Sequence, residues 1–75
     1  MKRTPVESSM IHDVGYDPET ATLEIGFNSG TVFQYFDVEP EAYEALMNAD
    51  SKGRHFLDNI EPFYAYDRVR QSRRR

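Results

Sequence analysis

Leu23-Glu24-Ile25-Gly26-Phe27, Asn28-Ser29-Gly30 and Thr31-Val32-Phe33-Gln34-Tyr35-Phe36-Asp37-Val38 follow one another without a break. Two segments of alternating apolar residues flank a turn tripeptide, the pattern of a half-buried β-hairpin. The register of that hairpin decides which rings are buried. With Asn28-Ser29 in a type I turn and Gly30 left-handed, Phe27 lies opposite Thr31, Ile25 opposite Phe33 and Leu23 opposite Tyr35. All of these then share one sheet face, the core face. A two-residue Ser29-Gly30 turn would set Ile25 against Gln34 and send Phe33 and Tyr35 to the opposite face. Glycine in third place favours the first register, because a positive φ costs glycine no Cβ strain.

Working outward, residues 9–16 read as a preceding strand, with Met10, His12, Val14 and Tyr16 in alternation. Ile11 breaks the period, which predicts a bulge or burial from both sides. Asp17-Pro18-Glu19-Thr20 supplies the turn into the hairpin, since proline suits the second position of a type I turn and aspartate the first. Glu39-Pro40-Glu41 opens a helix, proline being tolerated at its first position and acids favoured by the N-terminal dipole. Its apolar stripe is Ala42, Tyr43, Leu46, Met47 and Ala49. Ser51 caps a second helix that runs to about residue 60 and turns Phe56, Leu57 and Ile60 inward. Gly53 in its first turn predicts close packing there or a later helix start. Pro62 ends the helix, and Phe63-Tyr64-Ala65-Tyr66 packs back as a short extended or turn-like segment. The expected fold is α+β: a three-stranded antiparallel β-meander followed by two short helices packed on one sheet face. Residues 1–68 form this single domain, and residues 69–75 a basic, disordered tail.

The 75-residue chain has room for one core and contains no cysteine, which excludes disulfide staples, thiolate metal sites and cysteine nucleophiles. Ten Phe and Tyr residues supply the packing instead. No apolar run reaches the roughly 18 residues of a membrane span. No hydrophobic segment follows Met1-Lys2-Arg3, so a cytoplasmic protein is the expectation. Charge is split along the chain: residues 1–50 carry two cations against ten acids, residues 51–75 seven cations against three. Any contact with phosphates therefore falls to the C-terminal third.

Several stretches together resemble the KTSC domain family, a short domain at the C-terminus of some lysyl-tRNA synthetases and a stand-alone bacterial or phage protein. They are Arg3-Thr4-Pro5-Val6-Glu7-Ser8-Ser9, Val14-Gly15-Tyr16-Asp17, and the hairpin from Leu23 through Gly30 to Tyr35. Val38, Ala49-Asp50-Ser51-Lys52-Gly53, Phe56, Ile60 and Tyr64 complete the match. The family's central Tyr-x-Tyr is Phe33-Gln34-Tyr35 here, one phenol short. The resemblance implies a domain without established enzymatic activity, for which RNA binding is suggested by attachment to a tRNA synthetase.

The residues themselves point to a small non-catalytic binding module. RNA, whether tRNA or another single strand, needs exposed rings for base stacking and cations for phosphates. Tyr64 and Tyr66 with Lys52, Arg54, Arg68 and Arg70 are the candidates, with Arg73, Arg74 and Arg75 as non-specific attraction. The alternative is a protein-interaction or dimerisation module that uses an exposed edge strand or an uncovered sheet face around Val32 and Phe36, two residues that the first strand's approach and the C-terminal segment would otherwise cover. A monomer or weak homodimer is expected. His12 and His55 lack the companions of a metal site, and Ser8-Ser9 lacks a nearby base. Ser51-Lys52-Gly53 lacks the upstream glycine of a phosphate loop. No catalytic residue, metal or cofactor is assigned.

Overall fold

Gly30 takes φ +98°, its N–H donates to Phe27 O at 2.9 Å, and Phe27 N–H donates to Thr31 O at 2.9 Å. The first register therefore holds, with Ile25 opposite Phe33 and Leu23 opposite Tyr35. The computed structural model describes residues 1–69, and the expected tail from Arg70 onward lies outside them. Around the hairpin of β3 (Thr22–Phe27) and β4 (Val32–Tyr35) stand β1 (Arg3–Pro5), β2 (Ile11–Asp17) and β5 (Tyr66–Arg68), with α1 (Pro40–Asn48) and α2 (Lys52–Asn59) before β5.

The α+β class holds, but the sheet has five strands in the order β1-β2-β3-β4-β5, every neighbouring pair antiparallel, rather than three. Both additional strands are three residues long and largely polar. Backbone pairing recruits them, and backbone pairing leaves no side-chain period to read. β1 aligns Thr4 with Val14 of β2, and β5 aligns Asp67 with Gln34 of β4.

The irregularity at Ile11 is a bulge: Ile11 pairs with Phe27 but Asp13 pairs with Gly26, which leaves His12 as the extra residue. It brings Ile11 and Val14, three positions apart, to the same side, and both are fully buried. They join Leu23, Ile25 and Tyr35 on the core face, beneath Val38, Leu46, Phe56 and Ile60. Ring contacts tie the layers together, Phe56 meeting Phe27 at 5.6 Å and Tyr35 at 5.4 Å. Tyr16 stacks on Tyr43 of α1 at 4.8 Å and donates to Val38 O.

The helix signals act locally as expected. Ser51 Oγ accepts from Arg54 N–H at 3.3 Å, and Pro40 stands in the first turn of α1. α2 does not start late. A Cβ on Gly53 would sit 3.3 Å from Ser8 Oγ and 3.5 Å from Met10 Cβ, so the glycine marks close packing against the chain entering β2. No helix among the described residues is long and apolar enough to cross a membrane.

Candidate functional site

β5 carries the aromatic and basic residues to one edge of the sheet. In its register Tyr66 lies opposite Tyr35 and Arg68 opposite Phe33, so Tyr66 and Arg68 extend the row of core-facing side chains past the helices. The Tyr66 ring stacks on Phe33 at 5.3 Å and 20° from parallel, and lies 5.5 Å from Tyr35, yet Tyr66 remains 56% exposed. Phe33 thus backs a ring whose other side meets solvent. Burial, with smaller contributions from Glu61 and Tyr66, pushes the Tyr35 phenol up to about 12.

The other sequence candidates do not gather there as free groups. Lys52 Nζ donates to Ala49 O at 3.0 Å and so ties off the C-terminal end of α1. Arg54 Nε pairs with Asp58 at 3.1 Å one turn along α2. Tyr64 is half-buried and its hydroxyl donates to Glu39 Oε1 at 3.0 Å. Burial and that bond raise the Tyr64 phenol above its ordinary value. Arg70 lies outside the described residues.

The opposite sheet face is polar, and Val32 and Phe36 do not form an open apolar spot on it but are covered, the other arrangement expected for them. Val32 is 7% exposed and Phe36 half-buried, because β5 flanks β4: Phe36 N–H donates to Ala65 O at 2.9 Å, and Val69 N–H to Val32 O at 2.8 Å. Arg3 reaches across this face from β1, with Nε 3.2 Å from Asp13 Oδ1 and Nη1 donating to Glu24 Oε2 at 3.0 Å. Gln34 Nε2 donates to the second Glu24 oxygen at 2.7 Å. Asp13 Oδ1 is sequestered with only the Arg3 ion pair for company, a contact that lacks hydrogen-bond alignment. Asp13 Oδ2 lies 3.1 Å from His12 Nδ1. A recess of about 270 Å³ opens beside these groups, between the β2 bulge and the β3–β4 turn.

Reading residues alone misses this ionic cluster. The one signal is a glycine at each of positions 15 and 26 on the face that carries Glu24: a Cβ on Gly15 would meet Lys2 O at 2.8 Å and Arg3 Cγ at 2.9 Å. The glycines leave the space that Arg3 and Asp13 fill.

A five-stranded antiparallel sheet with two helices on one face, and an ionic cluster with a recess on the other, defines a small α+β domain. The chain belongs to the KTSC domain family, whose model matches residues 7–66. A crystal structure of a KTSC domain protein from Yersinia pestis superposes with a TM-score of 0.88 at 38% identity, covering 91% of this chain and 96% of that one. An uncharacterized protein of Stutzerimonas stutzeri is 46% identical over 70 residues, which is 92% of this chain and 99% of that protein. A lysine–tRNA ligase of Nostoc punctiforme is 41% identical over 63 residues, 84% of this chain but 11% of the ligase. The fold thus occurs both as nearly the whole of a short protein and as a small part of a long one.

Proposed function

We propose that the chain is a non-catalytic module that binds single-stranded RNA through the β5 edge. The observation that carries this reading is Tyr66, a ring 56% exposed, backed by Phe33 and one strand position removed from Arg68 on the same face. A supported ring offers one face for a base to stack on, which is how sequence-tolerant single-strand sites work. Arg68 supplies a phosphate contact beside it, and Arg70, Arg73, Arg74 and Arg75 follow directly in the sequence. The similarity to a segment of lysine–tRNA ligases adds a tRNA context. Lys52 and Arg54, held by Ala49 and Asp58, contribute little to this reading.

A protein partner is the second reading. Residues 1–69 carry five Lys and Arg against thirteen Asp and Glu, a balance that repels polyanions from everything but the C-terminal edge. Phe63 and Leu57 are 71% and 46% exposed and offer apolar contact instead.

Amide NMR during titration with a mixed-sequence single-stranded RNA, at low and at physiological salt, separates the two. RNA recognition gives saturable shifts at Tyr66, Asp67, Arg68 and Phe33 that survive physiological salt and weaken about tenfold or more in Tyr66→Ala, given stacking worth roughly 1–3 kcal/mol per base. Shifts confined to Arg70 and beyond that vanish with salt, or no shifts, overturn the RNA reading and leave the protein partner.

A further inference from the structure

We propose that Asp67 holds the β5 edge of the sheet closed to pairing with a second copy of this chain. Among the described residues β5 ends the strand order, and all three of its residues are exposed. Its pairing with β4 determines which backbone groups face outward. Phe36 N–H donates to Ala65 O and Val69 N–H to Val32 O, so residues 65 and 69 turn their backbone groups toward β4. The alternation of an antiparallel ladder gives Asp67 the same direction and leaves the N–H and C=O groups of Tyr66 and Arg68 pointing away from the sheet. An edge of this kind is a template for another strand.

The edge is also self-complementary. A second β5 laid antiparallel on the first would pair Tyr66 with Arg68 of the second copy and Arg68 with Tyr66 of the second copy, around a two-fold axis at Asp67. That arrangement sets ring beside guanidinium across the new strand pair, a favourable cross-strand match.

Asp67 opposes it twice. Its Oδ1 accepts from Arg68 N–H at 3.0 Å, which occupies one of the outward donors the pairing requires. The same register sets the two Asp67 residues directly opposite each other as a non-hydrogen-bonded pair, with Cα atoms about 4.5 Å apart and like charges facing. The far edge of the sheet is blunted by other means, since β1 ends in Pro5, which has no N–H to offer. Short, charged edges are a general defence against strand addition, and here one side chain supplies both the occupied donor and the charge.

Sedimentation velocity on the full chain tests this from micromolar to near-millimolar concentration. The native chain stays monomeric. Asp67→Val, which removes both the acceptor and the charge and suits a strand, strengthens self-association by about tenfold or more. Asp67→Asn keeps an acceptor for Arg68 N–H but loses the charge, and falls between the two. Amide exchange on the monomers gives an independent reading: corrected for intrinsic rates, Arg68 N–H exchanges more slowly than Tyr66 N–H in the native chain and loses that difference in Asp67→Val. A monomeric Asp67→Val whose Val69 amide is still protected against Val32 overturns the proposal, as does a native chain that associates as strongly. If Asp67→Val frees β5 from β4, Asp67→Asn decides, and no gain in association over the native chain overturns it.

Discussion

The carboxylate of Asp13 fills the space that a side chain at Gly26, its partner across β2 and β3, would need. The bulge at His12 brings Asp13 into register with Gly26, and Arg3 closes over the pair from β1. A sequence position that looks like a weak point in a central strand is therefore the seat of the ionic cluster.

Gly26→Ala forces Asp13 or the strand to move, and overpacking of this kind costs about 1–3 kcal/mol. Urea unfolding measures the loss. In the double variant with Asp13→Ala the clash is gone, so the two substitutions together cost clearly less than their sum; simple additivity would refute the steric account.

Arg3→Ala leaves Glu24, whose side chain is 12% exposed, and Asp13, at 16%, without their cation. Stripping one partner from a buried pair costs roughly 3–5 kcal/mol, and with Arg3 itself 29% exposed about 2 kcal/mol is expected. Arg3→Lys restores only part of it, because a single ammonium cannot serve two carboxylates as the guanidinium fork does. Full recovery with lysine would contradict the two-carboxylate geometry.

Ala21 holds φ 55° at the end of the β2–β3 turn, where its carbonyl accepts from Val38 N–H at 2.9 Å. Left-handed backbone costs an L-residue about 1–2 kcal/mol, and glycine returns some of that gain through its freer unfolded chain. Ala21→Gly should stabilise the domain by about 0.5–1 kcal/mol, read as a higher thermal midpoint. A lower midpoint would mean that the Cβ contributes packing that outweighs the strain.

Tyr35 gives the fold a limit in alkali. Its phenol is pushed up to about 12 in the folded chain against 10 when unfolded, so the unfolded state releases its proton first as pH rises. Below pH 10 the phenol is protonated in both states; between pH 10 and about 12 it ionises in the unfolded chain alone, and stability falls progressively across that window. In Tyr35→Phe the curve of unfolding free energy against pH is flatter across that window. An equally steep fall in the variant would assign the alkaline loss to other groups.

The hairpin register, the Ser51 cap and the start of α1 are legible in the residues, because each depends on neighbours in the chain, whereas the broken period at Ile11 leaves a bulge and two-sided burial open until β2 pairs with β3. Gly30 needs only its own φ, and Ser51 only the N–H three residues on. Tyr66 and Arg68 stand out in the sequence as members of the aromatic–basic group, but the ring of Phe33 behind Tyr66 does not, since 33 positions of chain separate them and a sheet pairing brings them together. Lys52 and Arg54 read as available cations until the carbonyl of Ala49 and the carboxylate of Asp58 claimed them.

By itself the sequence determined an antiparallel sheet with one aromatic-rich face beneath two helices, the second capped by Ser51, because periodicity, turn chemistry and caps act over a few residues. Only the tertiary structure decided that the short segments Arg3–Pro5 and Tyr66–Arg68 become edge strands, that the second sheet face is an ionic cluster centred on Arg3, and that Tyr66 is a supported, half-open ring. These depend on backbone pairing and charge contacts between distant segments, whose free energy is set by where the chain meets itself.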